Sequence, residues 1–552
     1  MNPIGWPDEF AVSSWRAQPK CGNVDKMSEL PAFLLEDDAG RSSSFPGERP
    51  ALICFVKEDC PTCNEVMPVI EAFYRAFADG VDILVPGQTV EGNRTLTKKH
   101  ALTVPILDDS SLKVSFAYDV EIVPSLYLAD PTGQSQRTLV GFVREEWQAL
   151  AEQLSQTTGL AMPDVDWSSC PEWRPGCGSL SADPLVAARL QAESENSPLR
   201  ARRIDIAAHD DEFEFMFDQG FSDGLPLVPP TPERVLRMLS GTRRDAQEVI
   251  ATMPPNMGEA TVEKVAINAV MAGCKPEYLP LILTAVEAVC TDEYNIHGVM
   301  ATTMGASPVM VVNGPIRERL GLNMKLGALG QGNRANSTIG RALRLAIRNI
   351  GGARPGGTER STLGNPMKFT MCFAEWEERN PWTPLHVERG FEQDDSVISI
   401  FAMTSGPTLM VDQDSRTGAQ LAGTFGLCLE SAFHPKAHYA TEVLVVISPE
   451  HVDTFVRDGF DKASIRARIQ EVTSRPIREL VENEVSAVGF KKAFADGMDS
   501  QALDKLLPKF KSEDDIHIVV AGSEAGKFSG AFHGWATGEI GSIPVSRKIE
   551  EV

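Results

Sequence analysis

Between residues 51 and 156, short apolar runs alternate with segments whose apolar residues recur at helical spacing. The continuous run at 51–56 predicts a buried strand, and Val66, Ile70, Phe73 and Tyr74 then predict a helix over about 60–77. Further strands are expected at 81–85, 104–106, 123–128 and 136–141, with a turn at Asp130-Pro131-Thr132-Gly133. Helices are expected at 95–101, 111–118 and 144–156. Residues 49–160 therefore read as one α/β domain behind an N-terminal extension, 1–48.

The pattern changes at 161–205, where Cys170-Pro171-Glu172-Trp173-Arg174-Pro175-Gly176-Cys177-Gly178-Ser179 carries two prolines and two glycines and reads as linker. From 206 to 552 the pattern predicts one large α/β domain. Its helices are expected at 210–219, 231–239 (Thr231 as N-cap, Pro232 in the first turn), 261–272, 276–290 and 337–349. Its strands are expected at 309–312, 397–403, 442–447 and 516–521, and no internal repeat is visible.

Composition narrows the function. At 42% hydrophobic and 23% charged residues, the 552-residue chain is ordinary for a globular protein. Its net charge of −24 argues against broad binding to nucleic acid or an anionic membrane. No apolar run reaches transmembrane length, and the first nine residues lack a basic segment followed by an apolar one, so a cytoplasmic location is expected. Ten cysteines are too few for a disulfide scaffold at this length. In a reducing compartment a C-x-x-C is catalytic or metal-binding more often than structural, and zinc would need a second ligand pair. Cys170 and Cys177 are spaced too widely for a zinc knuckle. No metal and no cofactor is assigned.

The chemistry begins at Cys60-Pro61-Thr62-Cys63, which joins the first strand to a helix. A helix N-terminus stabilises a thiolate at the first cysteine, and the second can resolve a mixed disulfide. Together with Val123-Pro124 opening a later strand, this order resembles the thioredoxin fold in its larger thiol-disulfide-reductase form, over about 110 residues. The resemblance implies that Pro124 is cis and lies beside the thiols. Two departures stand out: Glu58-Asp59 where many relatives carry Trp, and Pro61-Thr62 between the cysteines. The acids next to Cys60 are expected to raise its pKa against the helix dipole.

Other constellations extend the list. Cys170 and Cys177 are read as a mobile redox relay. Cys274, in Gly273-Cys274-Lys275-Pro276, is expected near a helix N-terminus, where the dipole and Lys275 would favour a nucleophilic thiolate. The Gly330–Thr338 stretch suits a carboxylate or phosphate through Asn333, Arg334 and a cap from Asn336 or Ser337. Asn313 follows a strand, where α/β proteins place ligands. Glu375, Glu377, His386, Glu388 and Arg389 offer general acid/base groups. Cys54, Cys290, Cys372 and Cys428 read as core. Gly522–Lys527 is one residue short of a phosphate loop, and Pro435 between His434 and His438 spoils a zinc-binding helix.

The strings Asp223-Gly224-Leu225-Pro226-Leu227-Val228-Pro229-Pro230, Met271-Ala272-Gly273-Cys274-Lys275-Pro276, Gly332-Asn333-Arg334-Ala335-Asn336 and Leu385-His386-Val387-Glu388-Arg389-Gly390 look like the bacterial UGSC-like family, over about 210–540. That family is named for a selenocysteine-Gly-Ser-Cys motif, so the resemblance implies thiol or selenol redox chemistry. This chain lacks the tetrapeptide, its nearest string being Cys177-Gly178-Ser179-Leu180. No catalytic residue is carried over.

The leading expectation is a two-domain enzyme in which Cys60/Cys63 pass reducing equivalents to the large domain. There Cys274 would act on a small anionic organic or sulfur-containing substrate. A thioredoxin reductase or a low-molecular-weight thiol is the expected electron donor, and a homo-oligomer is left open. The alternatives are a cofactor-free lyase or hydrolase regulated by the thioredoxin-like domain, and a non-enzymatic redox sensor or chaperone.

Overall fold

In a computed structural model, the chain is described over residues 29–194, 197–204, 206, 210–539 and 541–550. Most of the N-terminal extension, including its first nine residues, lies outside the described residues. The chain is mixed α/β and divides into two compact units at Ser197/Pro198. Residues 161–197, read from sequence as linker, belong to the first unit.

The first unit is built on a five-stranded sheet. Its order is Ile106–Asp108, Asp82–Gly87, Ala51–Phe55, Ser125–Ala129 and Ser135–Val140. The first three strands are parallel and the last two antiparallel. All five residues of Ala51–Phe55 are buried, as its unbroken apolar run requires for a central strand covered on both faces. The helix Pro61–Phe77 buries Val66, Met67, Ile70, Phe73 and Phe77 on one stripe. Helices also span Val90–His100, Lys113–Ala117 and Arg144–Thr158. The 90–100 helix starts earlier than expected because Thr89 caps it through Gly92 N–H.

The second unit has a seven-stranded mixed sheet. The path runs Cys372–Ala374, Ser307–Asn313, Val397–Val411, Phe528–Gly534, Val443–Ile447 and Ile516–Val520, with Val545–Lys548 also paired to Val397–Val411. One connection occurs twice along it. Ser307–Asn313 lies between a later parallel strand, Cys372–Ala374, and the antiparallel Val397–Val411. Val443–Ile447 lies between a later parallel strand, Ile516–Val520, and the antiparallel Phe528–Gly534. The two third strands pair antiparallel at the centre. This duplication of topology accompanies a sequence in which no internal repeat is visible. The two halves share a pairing scheme rather than residues, so sequence patterning does not reveal it.

Strand alternation sorts the side chains of this sheet into separate clusters. Val309, Val311, Phe401, Leu444, Val446, Val519 and Phe532 join one cluster with Phe373. Their neighbours Met310, Val312 and Ile400 pack in a second with the helices Val262–Ala272, Leu279–Val289 and Arg334–Asn349. Val443, Val445 and Ile518 pack in a third, with the helices Gly418–Leu429 and Lys462–Thr473. The sheet curls around the first cluster, and Trp376 N–H, beyond one edge strand, donates to Val520 O of the other edge at 2.7 Å.

Trp147 anchors the thioredoxin-like core. It is fully buried, packs on Phe142 at 5.2 Å between ring centroids, and donates its indole N–H to Gly141 O at 3.3 Å. Trp147→Ala is expected to destabilise the first unit by about 3–5 kcal/mol through the cavity left behind, measured by urea unfolding.

Candidate active site

The Ala51–Phe55 strand points its C-terminal end at the start of Pro61–Phe77. Cys60 is the N-cap of that helix, in extended conformation, and Pro61 stands where no N–H is needed. The Cys60 sulfur accepts the Cys63 N–H at 3.2 Å. It also lies 3.4 Å from Val123 O, to which a protonated thiol donates. The Val123–Pro124 peptide is cis and opens the neighbouring Ser125–Ala129 strand, as the resemblance implied.

These contacts make the two thiols unequal. Hydrogen bonding from the Cys63 side chain, then from the Cys63 N–H, the Cys177 thiol and the Thr62 N–H, holds Cys60 at about 5 against the opposing effect of burial. Burial, followed by donation to Cys60 and repulsion from its charge, holds Cys63 well above the ordinary thiol range. The expectation that Glu58 and Asp59 raise the Cys60 pKa is therefore corrected. Asp59 is paired with Lys57 at 3.1 Å, and Glu58 accepts from Thr89 Oγ1 at 3.3 Å. Both acids are engaged elsewhere, and the local donors at the helix start decide the outcome.

The two cysteines of the 170–179 segment separate. Cys177 pairs through its backbone with Val123 beside Cys60, and burial, followed by the influence of the Cys60 thiol, raises its pKa. Cys170 is held away from the pair, its thiol 3.7 Å from Asp166 O.

In the second unit, Cys274 corrects a second expectation. Residues Pro276–Tyr278 form a single 3-10 turn, and the helix proper starts only at Leu279. Cys274 thus lies outside the reach of a helix N-terminus. It is 7% exposed, its thiol donates to Thr338 O at 3.3 Å, and burial pushes its pKa up to about 12. It does line a cavity of about 70 Å³, together with Arg234, Arg237 and Arg334. Arg234 donates to Pro229 O at 2.8 Å and Arg334 to Gly273 O at 2.9 Å. Arg234 and Arg237 were missed in the sequence. Their i,i+3 spacing on the Pro232–Leu239 helix puts both on one face, but nothing local says that this face meets Arg334.

The remaining predicted residues bond mostly within the protein. The long helix begins at Arg334 rather than Ser337, and its cap is Asn333, which accepts Asn336 N–H at 2.9 Å. Asn336 spends its amide on Asn323 and Ala328 carbonyls, so Asn333 and Asn336 organise the turn while Arg334 alone reaches the cavity. Asn313 is sealed in, donating to Glu375 at 2.7 Å and Glu377 at 3.0 Å. Glu375 also accepts from Asn380 and Leu385 N–H, and burial raises its pKa. His386 contacts Gln393 O, whereas Arg389 donates to Pro544 O and Ser546. None of Asn313, Glu375, His386 and Arg389 lines the Cys274 cavity. Among the described residues, no group of three or more His, Cys, Asp or Glu side chains has the geometry to hold a metal ion.

The thiolate is the attacking form of a cysteine, so a thiol held at about 5 is ionised well below neutral pH, and because Cys60 is fully buried a reagent reaches it only through local opening. Alkylation of Cys60 by iodoacetamide is expected to rise as pH increases through about 5 and to level off by about 7, followed by peptide mass spectrometry. Cys63 and Cys274 are expected to stay unlabelled at neutral pH. A Cys60 rate still climbing toward pH 9 would remove the stabilisation described.

Residues 28–136 match the AhpC/TSA family. The methylamine utilization protein MauD of Paracoccus versutus is 33% identical over 133 residues, which cover 24% of this chain and 66% of that protein. The thiol-disulfide oxidoreductase YkuV of Bacillus subtilis is 30% identical over 106 residues, covering 17% of this chain and 69% of that protein. The chain thus spans about two thirds of the length of these relatives. Among solved structures, StoA from Bacillus subtilis is 23% identical and aligns over 22% of this chain and 98% of its own, with a TM-score of 0.20. Through its N-terminal region, the chain belongs to the AhpC/TSA family and its thioredoxin-like thiol-disulfide oxidoreductases.

Proposed function

We propose that the chain is a thiol-dependent oxidoreductase in which the Cys60/Cys63 pair supplies two electrons to a small anionic organic or sulfur-containing substrate taken up by the large unit. The observation that carries this reading is the inequality of the two thiols at one helix start. Cys60 is ionised at neutral pH while Cys63 keeps its proton. Cys60 attacks a sulfur of the oxidised client and displaces one thiolate. Cys63 then loses its proton, attacks Cys60 and releases the second thiolate, leaving a Cys60–Cys63 disulfide. In a cytoplasmic setting, a thioredoxin reductase or a low-molecular-weight thiol returns the two electrons.

Three guanidinium groups around one small cavity support an anionic ligand in the large unit. Cys274 lines that cavity as a protonated thiol, which must give up its proton before it can resolve an exchange there and so does not open one. The resemblance of residues 210–540 to the UGSC-like family supports thiol chemistry there. Carrying the reductase in the same chain raises its effective concentration at its client.

The reading is tested by single turnover of stoichiometrically reduced protein against small anionic disulfides and thiosulfonates. At least one is expected to oxidise Cys60/Cys63. Arg237→Ala is expected to raise its half-saturating concentration about tenfold, the value of one charge-assisted contact. Cys274→Ser is expected to abolish turnover while Cys60/Cys63 remain reducible. Retained turnover in that variant takes Cys274 out of the reaction, and full activity without reductant takes the redox reading with it.

A further inference from the structure

An extended segment that pairs with the strand beside the thiols can present a sulfur to Cys60 through backbone hydrogen bonds. Residues 173–179 of this chain do so. Trp173 and Arg174 pair antiparallel with Val143 and Phe142, and Cys177 and Gly178 with Val123 and Ile122. Ser179 N–H continues the contact, donating to Glu121 O at 2.9 Å. The thiol-bearing loop reaches back. Thr62 Oγ1 donates to Pro175 O at 2.5 Å, and Lys57 Nζ to Gly178 O at 3.0 Å. Buried Gln88 fixes the far end, donating to Ser179 Oγ at 2.6 Å and accepting Leu180 N–H at 3.0 Å.

The register sets Cys177 opposite Val123, the residue before the cis proline, whose carbonyl oxygen lies 3.4 Å from the Cys60 sulfur. Gly176 makes this approach possible. A Cβ there would stand 2.6 Å from Val123 O, so any larger residue would force the segment off the strand. Backbone pairing, side-chain clamps and an obligatory glycine all hold Cys177 at the residue whose carbonyl meets Cys60.

We propose that residues 173–179 are a client strand built into the chain, and that Cys177 is a third exchanging thiol that forms a mixed disulfide with Cys60. This rests on Cys60 as the attacking thiolate and is independent of the reaction assigned to the large unit. When Cys177 is joined to a small-molecule thiol, the Cys60 thiolate attacks the Cys177 sulfur. The bond to the small thiol breaks, and it departs as thiolate. Cys63 then gives its proton to solvent and attacks Cys60, so that the Cys60–Cys177 bond breaks and Cys177 leaves as thiolate. Two electrons pass from the Cys60/Cys63 pair to the Cys177 disulfide. A protein client from outside must first displace this strand.

Full-length Cys63→Ser, treated with glutathione disulfide, tests the proposal. Cys60 takes up one glutathione and releases the other, and Cys177 then displaces the bound one. Non-reducing peptide mass spectrometry is expected to find Cys60 linked to Cys177 in most of the protein, and equally in the Cys63→Ser/Cys170→Ser double variant. Cys63→Ala serves as the second background should the serine variant not fold. Gly176→Val in either background is expected to lose the linkage and leave Cys60 glutathionylated. Cys60 persisting as a glutathione adduct with Cys177 open to alkylation, in the variant that keeps Gly176, would overturn the proposal. Formation of Cys60–Cys63 by the wild-type protein in the same oxidant would then show that the dithiol chemistry itself survives.

Discussion

The first unit is organised around one sulfur atom at the end of one helix. Cys60 receives the Cys63 N–H at 3.2 Å, and the neighbouring Cys63 and Cys177 thiols add to it in holding Cys60 below the ordinary thiol range against the cost of burying a charge. Each donor comes from a different level of the fold. The N–H comes from the helix start, the Cys63 thiol from the first turn, and the Cys177 thiol from a segment more than a hundred residues later. The buried Ala51–Phe55 strand and the Trp147 core hold the helix start in place, and the cis Val123–Pro124 peptide shapes the wall against which Cys177 pairs.

The second unit uses its chemistry-bearing residues differently. The strand ends where α/β proteins often bind ligands carry Asn313, Glu375, Glu377 and Arg317 here, bonded to one another. The cavity instead opens beside the helix Pro232–Leu239, where Arg234 and Arg237 meet Arg334 and Cys274. Buried carboxylates and amides bonded to one another build the scaffold, with Asn313 Oδ1 left without a partner among the described residues, while guanidinium groups facing a cavity retain binding capacity.

Much of this was legible in the chain itself. The C-x-x-C at a strand-to-helix junction, followed by Val123-Pro124, identified a thioredoxin-like unit, because a helix start and a strand start are local events written in neighbouring residues. Apolar periodicity located Ser307–Asn313, Val443–Ile447 and Ile516–Val520 to within two residues. Phe528–Gly534 escaped because two glycines and a histidine interrupt its apolar pattern, although neighbouring strands bury it. The duplicated connection escaped because pairing order leaves no trace in local sequence.

Local sequence alone determined where the reactive pair lies, which helix start activates it and that the chain is mixed α/β, since capping and alternation act over a few residues. Only the tertiary structure decided the ionisation of each thiol. It buried Cys274 and turned the acids beside Cys60 away. It also parted Cys177 from Cys170 and laid it against Cys60. Desolvation and hydrogen-bond donation are set by which distant atoms close around a group, and the order of residues does not record that distance.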